Sequence, residues 1–144
     1  MSIFQLTDTL SVAGQITPQD IPGIAAQGIT VVVCNRPDGE VPQQATMDEI
    51  EAACNATGLL FVRYPVTAMD FPGPDLEGLG DLFDDPGQSV LAYCRTGTRC
   101  ANLWVTSQTS GAQAEAMQLA RDSGCDLSRA RAGARLCCLL SVDW

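Results

Sequence analysis

A chain of 144 residues, 46% hydrophobic and with a net charge of −9, has the size and composition of one folded domain and not of a disordered one. Seventeen acidic residues against eight basic ones, all arginine, argue against general binding to nucleic acid or anionic membranes, so any anion site must be local. The absence of histidine excludes Ser-His-Asp and Cys-His catalysis, histidine-ligated zinc and a histidine general base.

In chain order, residues 4–14 contain a short strand or hairpin. Thr17 reads as an N-cap with Pro18 at the first helical position, and Ile21, Ile24 and Ala25 form an apolar stripe that stops at Gly28. Residues 29–34 are a β-branched run suited to a strand buried on both faces, followed by the polar loop 35–40. Thr46 and Glu49 form a capping box for a helix carrying Ile50, Ala53 and Cys54 and ending before Gly58. Residues 59–64 are a third strand, 65–73 the loop leaving it, and 75–84 a helix despite Gly78 and Gly80. A strand over 89–93 runs into Cys94, and helices are expected over 99 to about 109 and 112–123, with Gly124 as a stop. The tail from Ala130 to Trp144 carries no clear pattern; its Cys137 and Cys138 sit in an apolar run that suits a core or dimer contact.

Alternating strands and helices predict an α/β domain with a mostly parallel central sheet flanked by helices, spanning residues 1–144 as a single unit. In such sheets the site lies at the carboxyl ends of the strands. Three polar loops qualify: those after Cys34, after Tyr64, and beginning at Cys94. Apolar runs fall short of the roughly 20 residues of a membrane span, and Met1 to Gln5 lack a basic flank or signal-type stretch, so a cytoplasmic location is expected. Seven cysteines, an odd number, then read as reduced thiols.

Cys94 is the candidate nucleophile. A strand, a cysteine, a loop of small and arginine residues and a helix place a thiol beneath backbone N–H groups at a helix N-terminus. That arrangement holds an oxyanion and lowers a thiol pKa. Arg95 and Arg99 add forked donors suited to sulfate- or phosphate-like oxygens, Thr96 and Thr98 line the loop, and Gly97 permits its tight turn. Arg36 could reach the anion or pair with Asp38 in its own loop. Cys100 could resolve an oxidised or persulfidated Cys94, against the plainer reading that it packs the first helical turn. No Cys-x2-Cys spacing supports a metal site, and no cofactor is called for.

The stretch Gly28 to Glu40, then Tyr64-Pro65-Val66-Thr67, then Tyr93 to Arg99 with Ala101-Asn102-Leu103-Trp104, resembles the bacterial beta-lactamase-hydrolase-like phosphatase-like domain family, also labelled a sulfur transferase family. The resemblance runs from about residue 11 to about 127 and leaves 128–144 uncovered. It implies a dual-specificity-phosphatase-like fold with the cysteine loop between a central strand and a helix. Phosphatases of that fold carry His-Cys, five residues and an arginine, whereas Tyr93 precedes Cys94 here and only four residues separate it from Arg99. The spelling resembles the loop of rhodanese-type sulfurtransferases, in which the cysteine carries a persulfide. Asp70, 24 residues before Cys94, stands where such a phosphatase places its general acid.

The expected function is transfer of a sulfane sulfur through a Cys94 persulfide, with Arg99 and the loop amides binding the donor. The alternative is a phosphatase acting through a phosphocysteine at Cys94, and a third reading is a non-catalytic module that senses anions or persulfides. The expected partner is a small sulfur- or phosphorus-containing anion, with no nucleic acid or membrane; a homo-oligomer is left open.

Overall fold

Two fully buried strands form the middle of the protein. The computed structural model describes residues 3–108 and 110–122. The elements are β1 (Ile3–Gln5), β2 (Leu10–Ala13), a 3-10 turn (Pro18–Asp20), α1 (Ile21–Ala26), β3 (Val31–Cys34), α2 (Met47–Thr57) and β4 (Leu60–Arg63), then α3 (Leu76–Phe83), β5 (Val90–Tyr93), α4 (Thr98–Ser107) and α5 (Ser110–Asp122). The strands lie in the order β1-β2-β5-β3-β4; all neighbours are parallel except β1, which pairs antiparallel with β2.

Every residue of β3 and β5 is buried, as a β-branched run with helices on both faces requires. One face packs Val12, Val31, Val33, Val90 and Ala92 against Leu79 and Phe83 of α3 and Leu103 and Trp104 of α4. The other packs Val32, Leu91 and Tyr93 against Ile21 and Ile24 of α1 and Ile50 and Cys54 of α2. Each such aliphatic side chain contributes about 1.5–3 kcal/mol on burial.

The expected helix starts hold, with local adjustments. Asp20 accepts from the Thr17 N–H (2.9 Å) and hydroxyl (3.1 Å), so the chain winds a 3-10 turn before α1 begins at Ile21. Thr46 caps α2 by accepting from the Glu49 N–H at 3.2 Å, and Asp75 caps α3 through the Gly78 N–H at 3.1 Å. Helix α4 starts at Thr98, one residue before the expected position, because Gly97 takes the capping turn. The predicted stop at Gly124, Cys125 and the tail with Cys137 and Cys138 lie outside the described residues. Among the described residues no helix is long and apolar enough to cross a membrane.

Candidate active site

Because β3, β4 and β5 run parallel and in register, the loops after Cys34, Arg63 and Tyr93 leave the same sheet edge. Hydrogen bonds carry the ladder into those loops. The Asn35 N–H donates to the Tyr93 carbonyl (2.9 Å), the Tyr64 N–H to the Cys34 carbonyl (2.9 Å), and the Val66 N–H to the Asn35 carbonyl (3.2 Å). The Asn35 side-chain amide donates to the Tyr64 carbonyl at 2.9 Å. On the other side, the Cys94 N–H donates to the Ala13 carbonyl at 3.1 Å and seats the cysteine at the end of β5.

The loop from Cys94 to Arg99 folds around its own sulfur. Gly97, at φ +93°, adopts the left-handed conformation that glycine takes without a Cβ penalty, and its N–H donates to Cys94 Sγ at 3.1 Å. Gly14, just after β2, lies close under the loop: a Cβ there would stand 3.0 Å from the Arg95 carbonyl oxygen, and the two backbones would have to separate by a few tenths of an ångström to take it. The Thr96 and Thr98 hydroxyls are 3.0 Å apart, and the Thr98 N–H donates to Thr96 Oγ1.

Burial alone would raise the Cys94 pKa. The Cys100 thiol and N–H, the positive charge of Arg99 and the Thr96 N–H outweigh it and bring the thiol down from 9.0 to about 6. Cys94 is therefore mostly thiolate at neutral pH. Its partner Cys100 is pushed well above the ordinary value, first by burial and then by donating to Cys94, so it remains a protonated donor. Cys34 is raised for the same first reason, and its thiol donates a hydrogen bond to the Arg36 carbonyl at 3.1 Å.

Arg99 is 1% exposed. Its Nη1 donates to the Asn35 and Val66 carbonyls, both at 3.1 Å, and its Nη2 to Glu40 Oε1 at 3.2 Å. One guanidinium thus joins the loops after β3 and β4 to the first turn of α4. Glu40 Oε1 also accepts from Arg36 Nε at 2.8 Å, and Arg36 Nη1 donates to Gln15 Oε1 at 3.0 Å. Two arginines and one carboxylate leave an excess of one positive charge, which the Cys94 thiolate balances. Arg36 pairs with Glu40 and not with Asp38, whose carboxylate instead accepts from the Met47 N–H at the start of α2.

The remaining predicted residues divide. Arg95 is exposed at the loop, with no hydrogen bond or ion pair to its side chain among the described residues. Asp70 is exposed in the loop after β4, and its Oδ1 accepts from the Thr67 N–H (2.6 Å) and hydroxyl (3.1 Å), which ties it to its own turn. Sequence reasoning assigned no role to Asn35, although it lies in the Gly28 to Glu40 stretch, and missed Gln15, whose contact with Arg36 spans 21 positions.

Replacing Cys100 with alanine removes one of the groups that stabilise the thiolate. A hydrogen bond to a charged group contributes about 1.5–3 kcal/mol, so the Cys94 pKa is expected to rise by about one to two units. The pH dependence of iodoacetamide alkylation measures this; an unmoved inflection would remove Cys100 from the account.

Residues 2–111 match the family model described as beta-lactamase hydrolase-like protein, phosphatase-like domain. A phosphatase candidate from Neisseria meningitidis is similar in structure with a TM-score of 0.77 and 35% identity, over 89% of this chain and 92% of that one. PTPMT1 shares the fold at a TM-score of 0.65 with 15% identity, covering 83% of this chain and 82% of that one. The beta-lactamase hydrolase-like protein of Agrobacterium fabrum is 29% identical over 108 residues, 75% of this chain and 25% of the relative. The chain spans 25–31% of the length of the curated relatives it matches. The fold is the mostly parallel α/β fold of protein tyrosine and dual-specificity phosphatases. The chain belongs to the beta-lactamase hydrolase-like protein phosphatase-like domain family.

Proposed function

We propose that this domain is a thiolate sulfurtransferase in which Cys94 carries a sulfane sulfur from a small sulfur oxyanion to a thiol or cyanide acceptor. The carrying observation is the loop itself. Only four residues separate Cys94 from Arg99, the Arg99 guanidinium is committed to Asn35, Val66 and Glu40, and Cys100 stands one position further on, where the resembling phosphatases have their arginine.

In the first step the Cys94 thiolate attacks the outer sulfur of thiosulfate. A new S–S bond forms, the donor's S–S bond breaks, and its electron pair leaves on sulfite. In the second step the acceptor thiolate takes the outer sulfur and returns Cys94 as thiolate. Neither leaving group needs a proton, which suits a chain without histidine and an Asp70 carboxylate bound to Thr67. Arg95 and the loop around Thr96, Gly97 and Thr98 receive the donor's oxygens, while Arg99 holds positive charge behind the sulfur. Cys100, which donates to Cys94, is the residue that would resolve a Cys94 persulfide by attacking its inner sulfur, forming the Cys94–Cys100 disulfide as hydrosulfide leaves.

Phosphoester hydrolysis is the second reading, and the comparisons favour it: the family label and the Neisseria relative both point to phosphatases. There Cys94 would form a phosphocysteine, Arg99 would stabilise the phosphoryl oxygens and Asp70 would protonate the leaving oxygen.

Parallel assays separate the two. Thiosulfate with cyanide, and a generic phosphomonoester, are given to wild type and Asp70→Asn. Sulfur transfer is expected to be present and to change less than threefold in Asp70→Asn. Phosphomonoester turnover that falls about 100-fold or more in that variant, without sulfur transfer, would establish the second reading instead.

A further inference from the structure

A groove of about 650 Å³ is lined by Gln15 and Arg36, and by no residue of the cysteine loop itself. Its walls are the segment from Gln15 to Gln19, before α1, and the segment from Val41 to Ala45, before α2, with Arg36 between them. Arg36 is 2% exposed. Its Nε and Nη1 are engaged by Glu40 and Gln15, but its Nη2 is buried without a hydrogen-bond partner. A buried guanidinium nitrogen left unpaired costs free energy that an arriving acceptor recovers. The groove adjoins the catalytic loop, since Gln15 also donates its N–H to the Arg95 carbonyl at 3.4 Å.

We infer that this groove is the acceptor subsite, and that it takes a small peptide-like thiol whose carboxylate binds Arg36 Nη2. The inference rests on the sulfur-transfer reading and names the class of its second substrate. One unpaired nitrogen on an arginine that already shares Glu40 suits a single carboxylate better than a polyanion, and Glu49 on the wall disfavours dense negative charge. Gln19 and Gln43 are exposed on the walls, with no side-chain hydrogen bonds among the described residues, and supply amides for peptide groups. Pro18 and Val41 offer apolar contact for a methylene chain. The volume accommodates a tripeptide, and Gln15 is the residue that links the groove to the Cys94 loop.

Calorimetric titration with S-methylglutathione, which binds as a peptide but cannot accept sulfur, tests the site apart from turnover. Binding to wild type is expected, weakened at least tenfold in Arg36→Gln and several-fold in Gln43→Glu, which sets a like charge on the wall and leaves the Arg36–Glu40–Arg99 cluster in place. Inorganic phosphate and sulfate, titrated in parallel, are expected to compete weakly. Equal affinity in all three proteins, no binding, or tighter binding of phosphate than of the peptide overturns the inference. Thiosulfate loading of wild-type Cys94 is measured on the same sample. Loading without peptide binding sinks the subsite and spares the sulfur-transfer reading; peptide binding without loading sinks the acceptor role.

Discussion

Replacing Arg99 with methionine is expected to destabilise the fold by about 3 kcal/mol and to raise the Cys94 pKa together. Methionine fills much of the volume but withdraws three hydrogen bonds, leaving the Val66 carbonyl buried without this donor and Glu40 with Arg36 alone. It also withdraws the positive charge that helps hold the thiolate. Lysine at the same position keeps the charge and loses the fork, so Arg99→Lys should recover more of the thiol acidity than of the stability. Urea denaturation and alkylation rates against pH report the two effects separately. A methionine variant as stable as wild type, with the same alkylation inflection, would show that Arg99 neither joins the loops nor tunes the sulfur.

Cys94→Ser is expected to reduce sulfur transfer to background, since a serine hydroxyl does not ionise at neutral pH and forms no persulfide. The variant should also change how stability depends on pH. The thiol titrates near 6 in the folded chain and near its ordinary 9.0 when unfolded. Between those values the unfolded chain binds more protons, so wild-type stability rises with pH, by up to about 1.4 kcal/mol per unit, and is lost as pH falls through 6. Above 9 the slope reverses, because burial raises Cys34 and Cys100 and pushes Cys54 up to about 11. Serine at position 94 removes the rising limb and leaves the falling one. Parallel pH slopes for wild type and variant between 6 and 9 would contradict the assignment of a thiolate to Cys94.

What could be read from residue order alone was what local chemistry decides. The β-branched run before Asn35 and the apolar run before Cys94 became buried strands because only a sheet covered on both faces accommodates them. Thr46 marked a helix start through its capping side chain, and Gly97 marked the tight turn that precedes α4. The direction of Arg99 was not legible. A residue in the first turn of a helix can face the loop it leaves or the neighbouring strand ends, and its acceptors at Asn35 and Val66 lie 64 and 33 positions away. The same holds for Arg36: Asp38 and Glu40 are both near in sequence, and the choice of Glu40 follows from Asp38 capping α2. Cys100 reads locally as a small residue in a helical turn, and only the curl of the loop brings its thiol onto Cys94.

The central claim is that Cys94 is a thiolate that carries sulfur, and intact-mass measurement tests it most directly. Wild-type protein incubated with thiosulfate, and separately with a low-molecular-weight persulfide, should gain the mass of one sulfur atom. A reducing thiol should remove it, and Cys94→Ser should not acquire it. Wild-type protein that stays unmodified with both donors while turning over a phosphomonoester would contradict the account.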